Sequence, residues 1–251
     1  METRFDIMGS SFELAMKHYP NARTDEKWLL DNLDLQSDDT ILEISAGTGF
    51  FTRRIAQIVQ NGSIVAQDVA EVVLELNQIK NKEFSNIEYY VEENMDFPKL
   101  KNESFSKIVL LGGVHHIEEQ VKAFRTVHRL LKPGGVFCVA DFVDESSIQR
   151  YFDDIIDKHT DTGHAGYFAS YSNMINLARF AGFNDCVAER LDVPYLFDKE
   201  SDIGHFYKML HAIKLEPEQI EQDIKEYFDI KTIDNKVAVM MPYIYAKYTK
   251  L

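Results

Sequence analysis

The segment Glu43-Ile44-Ser45-Ala46-Gly47-Thr48-Gly49-Phe50 places two glycines between an apolar run and an amphipathic one. Glycines there allow a tight turn and close approach of a ligand to backbone. They suit a plain strand-to-helix turn equally well. A dinucleotide fingerprint needs Gly-x-Gly-x-x-Gly, and neither register supplies it. Counting from Gly47 puts Thr52 in the third place, and counting from position 45 starts on serine. That argues against NAD and FAD. Asp68 ends the next apolar run. A carboxylate at such a point can accept both hydrogens of a ribose diol or cap the helix that follows. Its place after the glycine turn favours the ribose.

His115 and His116 follow a third apolar run, Lys107–Leu111. Imidazole titrates near neutrality, so one of the pair could act as a general base; the alternative is that one packs in the core and the other caps a backbone group. His159, His164 and Tyr167 lie in the polar stretch His-Thr-Asp-Thr-Gly-His-Ala-Gly-Tyr. Tyr207 and His211, four apart, share one helical face, which could line a pocket or meet solvent. His205 should point elsewhere. Neither His115/His116 nor His205/His211 gives the i, i+4 pair with a glutamate seen in zinc helices, and there is no Cys-x-x-Cys. The expectation is no metal.

Positioning these residues calls for short buried strands alternating with amphipathic helices, the pattern of a parallel sheet with crossovers. Strands are expected at Thr40–Ser45, Ser63–Asp68, Asn86–Val91, Lys107–Leu111 and Val136–Phe142. The intervening helices should bury Phe51, Ile55 and Ile58, then Val72, Leu76 and Ile79. Lys132-Pro133-Gly134-Gly135 should stop the helix that runs to Leu131. Farther on, helices are expected at Ser146–Lys158, Tyr171–Ala181, Glu200–Ile213 and Glu216–Phe228, with strands at Asn184–Leu191 and Val237–Tyr248. Pro242 suggests that the last strand is an edge or carries a bulge. The expected fold is a single Rossmann-like α/β domain over 1–251, with a mostly parallel seven-stranded sheet and helices on both faces. It divides into an N-terminal helical cap (1–36), a core (37–142) and a half (143–251) carrying a helical cap at about 192–236, before the last strand.

With 251 residues, 45% of them hydrophobic, the chain can bury a sizeable core. A net charge of −14 and the lack of any Lys/Arg-rich run disfavour nucleic acid as a partner. No apolar stretch approaches a membrane span, and METRFDIMGS lacks the pattern of a signal peptide. Cys138 and Cys186 cannot make a disulfide framework and read as buried thiols of a reducing cytoplasm.

Glu43–Gly49, Asp68, Glu93-Asn94-Met95-Asp96-Phe97-Pro98, Phe105–Ile117 and Leu131–Gly135, in this order, resemble class I S-adenosylmethionine-dependent methyltransferases. The branch they resemble most includes the ubiquinone/menaquinone C-methyltransferases, over about residues 11 to 142. The resemblance implies S-adenosylmethionine as cofactor and S-adenosylhomocysteine as product. It puts Glu43 near the methionine part, Gly47 and Gly49 at the second and third motif glycines with Ser45 replacing the first, and Asp68 with Val69 at the ribose. Asn94 and Met95 would frame the adenine, with Glu93 replacing the more usual aspartate. Gly112 and Gly113 would offer a carbonyl to the cofactor's amino group. Tyr19 and Arg23 resemble an N-terminal cap in which Arg23 pairs with the cofactor carboxylate.

These readings converge on methyl transfer to an O, N or C nucleophile of a small molecule, in secondary or specialised metabolism, by a monomer or homodimer without membrane insertion. His116 or His115 is the candidate base, and His164, Tyr167, Tyr207 and His211 the candidate acceptor contacts. A peptide or protein methyltransferase, an RNA methyltransferase and a non-methylating S-adenosylmethionine-binding protein are the rivals.

Overall fold

A computed structural model describes residues 4–251. The reading of the extreme N-terminus falls partly on residues 1–3, which lie outside the described residues. Two helices, α1 (Arg4–His18) and α2 (Glu26–Leu33), lead into β1 (Thr40–Ile44). There follow α3 (Phe50–Ile58), β2 (Ser63–Asp68), α4 (Glu71–Lys80), β3 (Ile87–Val91) and β4 (Phe105–Leu111). After a 3₁₀ turn at Val114–His116 come α5 (Gln120–Leu130) and β5 (Leu131–Phe142). α6 (Ser147–Tyr151) continues through a π-helical stretch, Phe152–Ile156, into α7 (Asp157–His159). The chain ends with α8 (Tyr171–Ala181), β6 (Asp185–Phe197), α9 (Asp202–His211), α10 (Pro217–Tyr227), β7 (Ile230–Ile233) and β8 (Lys236–Thr249).

The sheet order is β3-β2-β1-β4-β5-β8-β6, and β7 adds to β8, so eight strands replace the expected seven. β1 to β5 are mutually parallel, while β8 runs antiparallel to β5, β6 and β7. Alternate side chains feed two cores, one per face: Ile41, Cys138 and Ala140 on one, Leu42, Phe137 and Val139 on the other. The strand order reverses at β1, with β2 on one side and β4 on the other. Ligands bind at such a crevice, beyond the carboxyl ends of the strands.

Four expectations need correction. β8 is internal rather than an edge, and Pro242 is tolerated because of where its missing N–H would point. On that side β5 pairs only as far as Tyr243 and β7 starts at Val239, so no partner lies opposite. β6 runs on to Phe197 instead of stopping at Leu191, because β8 pairs with it continuously from Thr249 to Val237. In α3, Ile58 is 40% exposed instead of buried. α5 does end ahead of Lys132–Gly135, as expected, and these residues open β5, held by the Gly134 N–H on the Lys250 carbonyl and the Lys250 N–H on the Gly135 carbonyl. In α4, Val72 and Ile79 are exposed while Val73, Leu74 and Asn77 are buried. A polar residue holding a core position hid the true face from an apolar-spacing argument.

Candidate active site

A cavity of about 730 Å³ opens at the carboxyl ends of β1, β2, β4 and β5, reached by Ser45, Asp68, Gly112 and Phe142 respectively. α1 closes one side with Phe5, Met8 and Phe12, and α9 another with Tyr207, Leu210 and His211. Its size suits a small-molecule site.

The glycine turn is built as a strained loop braced from α4 and from the end of β2. Ser45, Gly47 and Gly49 all take the left-handed conformation, with φ of 58°, 54° and 87°. Serine therefore bears a cost at the first position that glycine would avoid. A Cβ on Gly47 would meet nothing within 4 Å, so this glycine faces open cavity. A Cβ on Gly49 would lie 2.5 Å from Asn77 Oδ1 and Asn81 Nδ2. Gly49 thus serves helix packing and does not line the cavity. Asn77 donates to the Gly47 carbonyl (3.2 Å) and Thr52 Oγ1 (3.0 Å). From β2, the Asp68 carboxylate accepts the Gly47 N–H at 2.9 Å and the Ala70 N–H at 3.1 Å. The group therefore braces the glycine loop while it lines the cavity. The cap position of α4 is Ala70, which has no side-chain cap bond, so Asp68 is not that helix's N-cap.

Glu43 is 3% exposed. Burial pushes its carboxyl up to about 8, with Thr52 opposing the shift and Asp68 adding to it. Its Oε2 and Thr48 Oγ1 are buried polar atoms without partners, and both residues line the cavity. Val69, Glu93, Asn94, Met95 and Gly112 line it too.

At the other end stand the histidines. Burial lowers His116 to about 3 and His164 to about 2, with neighbouring imidazoles adding to the effect. Burial likewise lowers His211 to about 3. These rings are neutral near pH 7, and His116 is too weak a base to hold a proton there. His115 Nδ1 lies 2.5 Å from Asp141 Oδ1, and Asp141 Oδ2 accepts the His115 N–H at 3.0 Å. Burial alone would raise the Asp141 carboxyl, but the charge and hydrogen bonds of His115 hold it below its usual value.

Some expected contacts are not brought here. Tyr19 packs on Phe197 and Phe206 instead of the cavity, and Tyr167 is 60% exposed. Arg23 lines the cavity, but its guanidinium is paired with Asp25 and packed over Phe12 and Phe50. Tyr207, fully buried, donates to Met241 Sδ at 3.0 Å. Sequence reasoning missed Gln67, Asn77 and Asp141. For Asp141 a signal existed, an acid inside the apolar run Val136–Phe142.

Residues 35–179 match a family model described as a methyltransferase domain. The chain belongs to that methyltransferase family. It is 26% identical over 144 residues to the ubiquinone/menaquinone biosynthesis C-methyltransferase UbiE of Escherichia fergusonii, covering 56% of this chain and 55% of that protein. The methyltransferase chain thus spans about half the length of the curated relatives it matches. The crystal structure of YcgJ from Bacillus subtilis superposes with a TM-score of 0.67 at 18% identity, over 90% of this chain and 97% of that one. Haemonchus contortus phosphoethanolamine N-methyltransferase 2, bound to phosphomonomethylethanolamine and S-adenosylhomocysteine, gives 0.64 at 14% identity, over 99% and 57% respectively. At these identities the structures show the fold alone, a Rossmann-like one; the cofactor that the class I resemblance implies is S-adenosylmethionine.

The methyltransferase cavity fits that cofactor on its own terms. An ammonium beside Glu43 and hydroxyls beside Asp68 would engage the partnerless oxygen and the loop-bracing carboxylate. Asp68→Ala is accordingly expected to weaken S-adenosylmethionine binding tenfold to a hundredfold, since a charge-assisted hydrogen bond is worth about 1.5–3 kcal/mol. Calorimetric titration checks this, and an unchanged affinity would remove Asp68 from the ribose.

Proposed function

We propose that the chain transfers the methyl group of S-adenosylmethionine to an O, N or C nucleophile of a small molecule, in specialised metabolism. The observation that carries this reading is one continuous cavity. It joins the glycine loop, Asp68 and Met95 at one end to His116, His164 and Tyr207 at the other, under α1 and α9. A covered site suits a small acceptor better than a folded polypeptide. The relative's acceptor, a quinone precursor by its name, is in keeping with a cavity walled by Phe152, Tyr195 and Tyr207.

The cofactor supplies an activated methyl group, and the protein's part is alignment and exclusion of water. Glu43, Gly47, Asp68 and Met95 would hold the cofactor, with Gly112 presenting backbone at the end of β4. α1 and α9 would shield the acceptor from solvent. His116 and His164 stand at the acceptor end and, being neutral, would not store its proton. The unpaired thiols, Cys138 buried and Cys186 half-buried, suit a reducing compartment such as the cytoplasm. No helix among the described residues is long and apolar enough to cross a membrane.

The test is transfer from methyl-labelled S-adenosylmethionine into a fractionated extract. Label in the metabolite fraction is the expected result. Label on polypeptide or RNA instead would overturn the small-molecule reading, while cofactor binding without release of S-adenosylhomocysteine would overturn methyl transfer itself.

A further inference from the structure

Two adjacent imidazoles and a third from far along the chain converge at the acceptor end of the cavity. One ring nitrogen from each of His115, His116 and His164 lies within 4.8 Å of the other two. The absence of metal spacing in the sequence said nothing about this cluster, because His164 arrives by way of β5 and the α6–α7 helix. Its loop is fastened in place by the Tyr167 N–H on the His115 carbonyl (2.7 Å). Gly166 allows the approach, since a Cβ there would sit 2.9 Å from His164 Cε1 and 3.1 Å from His115 Cδ2.

The surroundings are those of ligands rather than of packed rings. His115 commits Nδ1 to Asp141, leaving Nε2 as its free donor atom. His116 is hydrogen-bonded to the Ala165 backbone. Metal-bound histidines are held this way, by a carboxylate or a carbonyl on the second nitrogen. His164 Nε2 is buried and has no partner, and the Phe152 and Phe168 rings packed on it offer no polar side-chain atom. A buried polar nitrogen left in that state calls for an explanation.

We propose that His115, His116 and His164 bind a divalent transition ion of the Zn²⁺ type. Its open coordination position faces the cavity and takes an acceptor that carries an ionisable oxygen. Three protein ligands with one open position are the pattern of catalytic zinc, in which the nitrogens stand ~3.3 Å apart at Zn–N distances of about 2.0–2.1 Å. The nitrogens already lie within 4.8 Å of one another, and binding an ion would draw them together. The charged groups acting on the cluster are Asp141 behind His115, Asp157 accepting the His164 N–H, and Arg4. A dication among them leaves room for one anionic oxygen ligand. The ion would lower the pKa of a bound hydroxyl: the O–H bond breaks, the electron pair stays on oxygen, and the proton goes to solvent. No side-chain base is then required.

The ion site stands apart from the proposed methyl transfer, although the acceptor class rests on that reading. The experiment is titration of the chelator-treated chain with Co²⁺, followed by its visible absorption, with S-adenosylmethionine affinity measured in the same samples. The expected result is one Co²⁺ per chain, displaced by Zn²⁺. Binding should weaken at least tenfold in His164→Ala and in Gly166→Val, while cofactor affinity stays within about twofold. Co²⁺ bound as tightly by His164→Ala as by the native chain, or no stoichiometric binding by the native chain, would overturn the site. If no form binds S-adenosylmethionine while Co²⁺ behaves as expected, the cofactor reading fails and the ion site stands.

Discussion

Glu43→Gln is expected to stabilise the chain increasingly as pH rises. In the folded chain burial holds the Glu43 carboxyl at about 8, against 4.5 for an ordinary glutamate. Its stabilising contribution is therefore complete below about 4.5 and is lost as pH climbs toward 8, because the unfolded chain ionises first. Relative to the pH-independent glutamine, wild-type stability should fall by about 1.4 kcal/mol per pH unit across this window and then level off. Denaturant unfolding of both proteins at pH 5, 7 and 9 measures the gap. A gap that does not widen would mean Glu43 is ionised in the folded state. The same carboxyl ties the fold to its ligand. A cofactor ammonium favours the ionised form, so S-adenosylmethionine should bind more tightly from pH 6 to 8 and release a proton as it does. Calorimetry in two buffers of different ionisation enthalpy would detect that proton.

The second large effect separates two glycines that look alike in sequence. Gly47→Val places its Cβ where nothing lies within 4 Å, so the fold should survive with about 1–2 kcal/mol of left-handed strain. The added isopropyl group stands in the cavity, and cofactor affinity should drop at least a hundredfold, as a clash within the ligand's own space requires. Gly49→Ala should do the reverse. Its Cβ would strike Asn77 and Asn81 at 2.5 Å and dislodge the hydrogen bonds these make to the glycine loop. A loss of roughly 2–4 kcal/mol in stability is expected. Unfolding midpoints and cofactor titration on the two variants decide the matter. Undiminished binding by Gly47→Val would put the ligand elsewhere.

Asp141 shows why part of this site was hidden, and His164, named from the sequence as an acceptor contact, shows why its neighbours were not legible there. In a strand, an aspartate reads as an interruption of the apolar run; only the pairing of β4 with β5 brings it under His115. His164 sits in a polar loop whose destination depends on hydrogen bonds to residues far back in the chain. Asn77 is harder still, since a buried amide breaks the very spacing by which a helix face is recognised, and its partners lie on another helix and a loop.

What the sequence determined alone is what local rules govern: the alternation of buried strands and amphipathic helices, the glycine turn, and the acid at the end of β2. Periodicity and turn chemistry act over a few residues, so they can be read in a line. The tertiary structure decided the rest. It made β8 an internal strand in spite of Pro242, because the gap between β5 and β7 removes the need for that N–H. It assigned Gly47 to the cavity and Gly49 to packing, and it drew His164 to the His115–His116 pair. These outcomes depend on which elements become neighbours, and that is settled by the joint burial of two cores, not by any segment on its own.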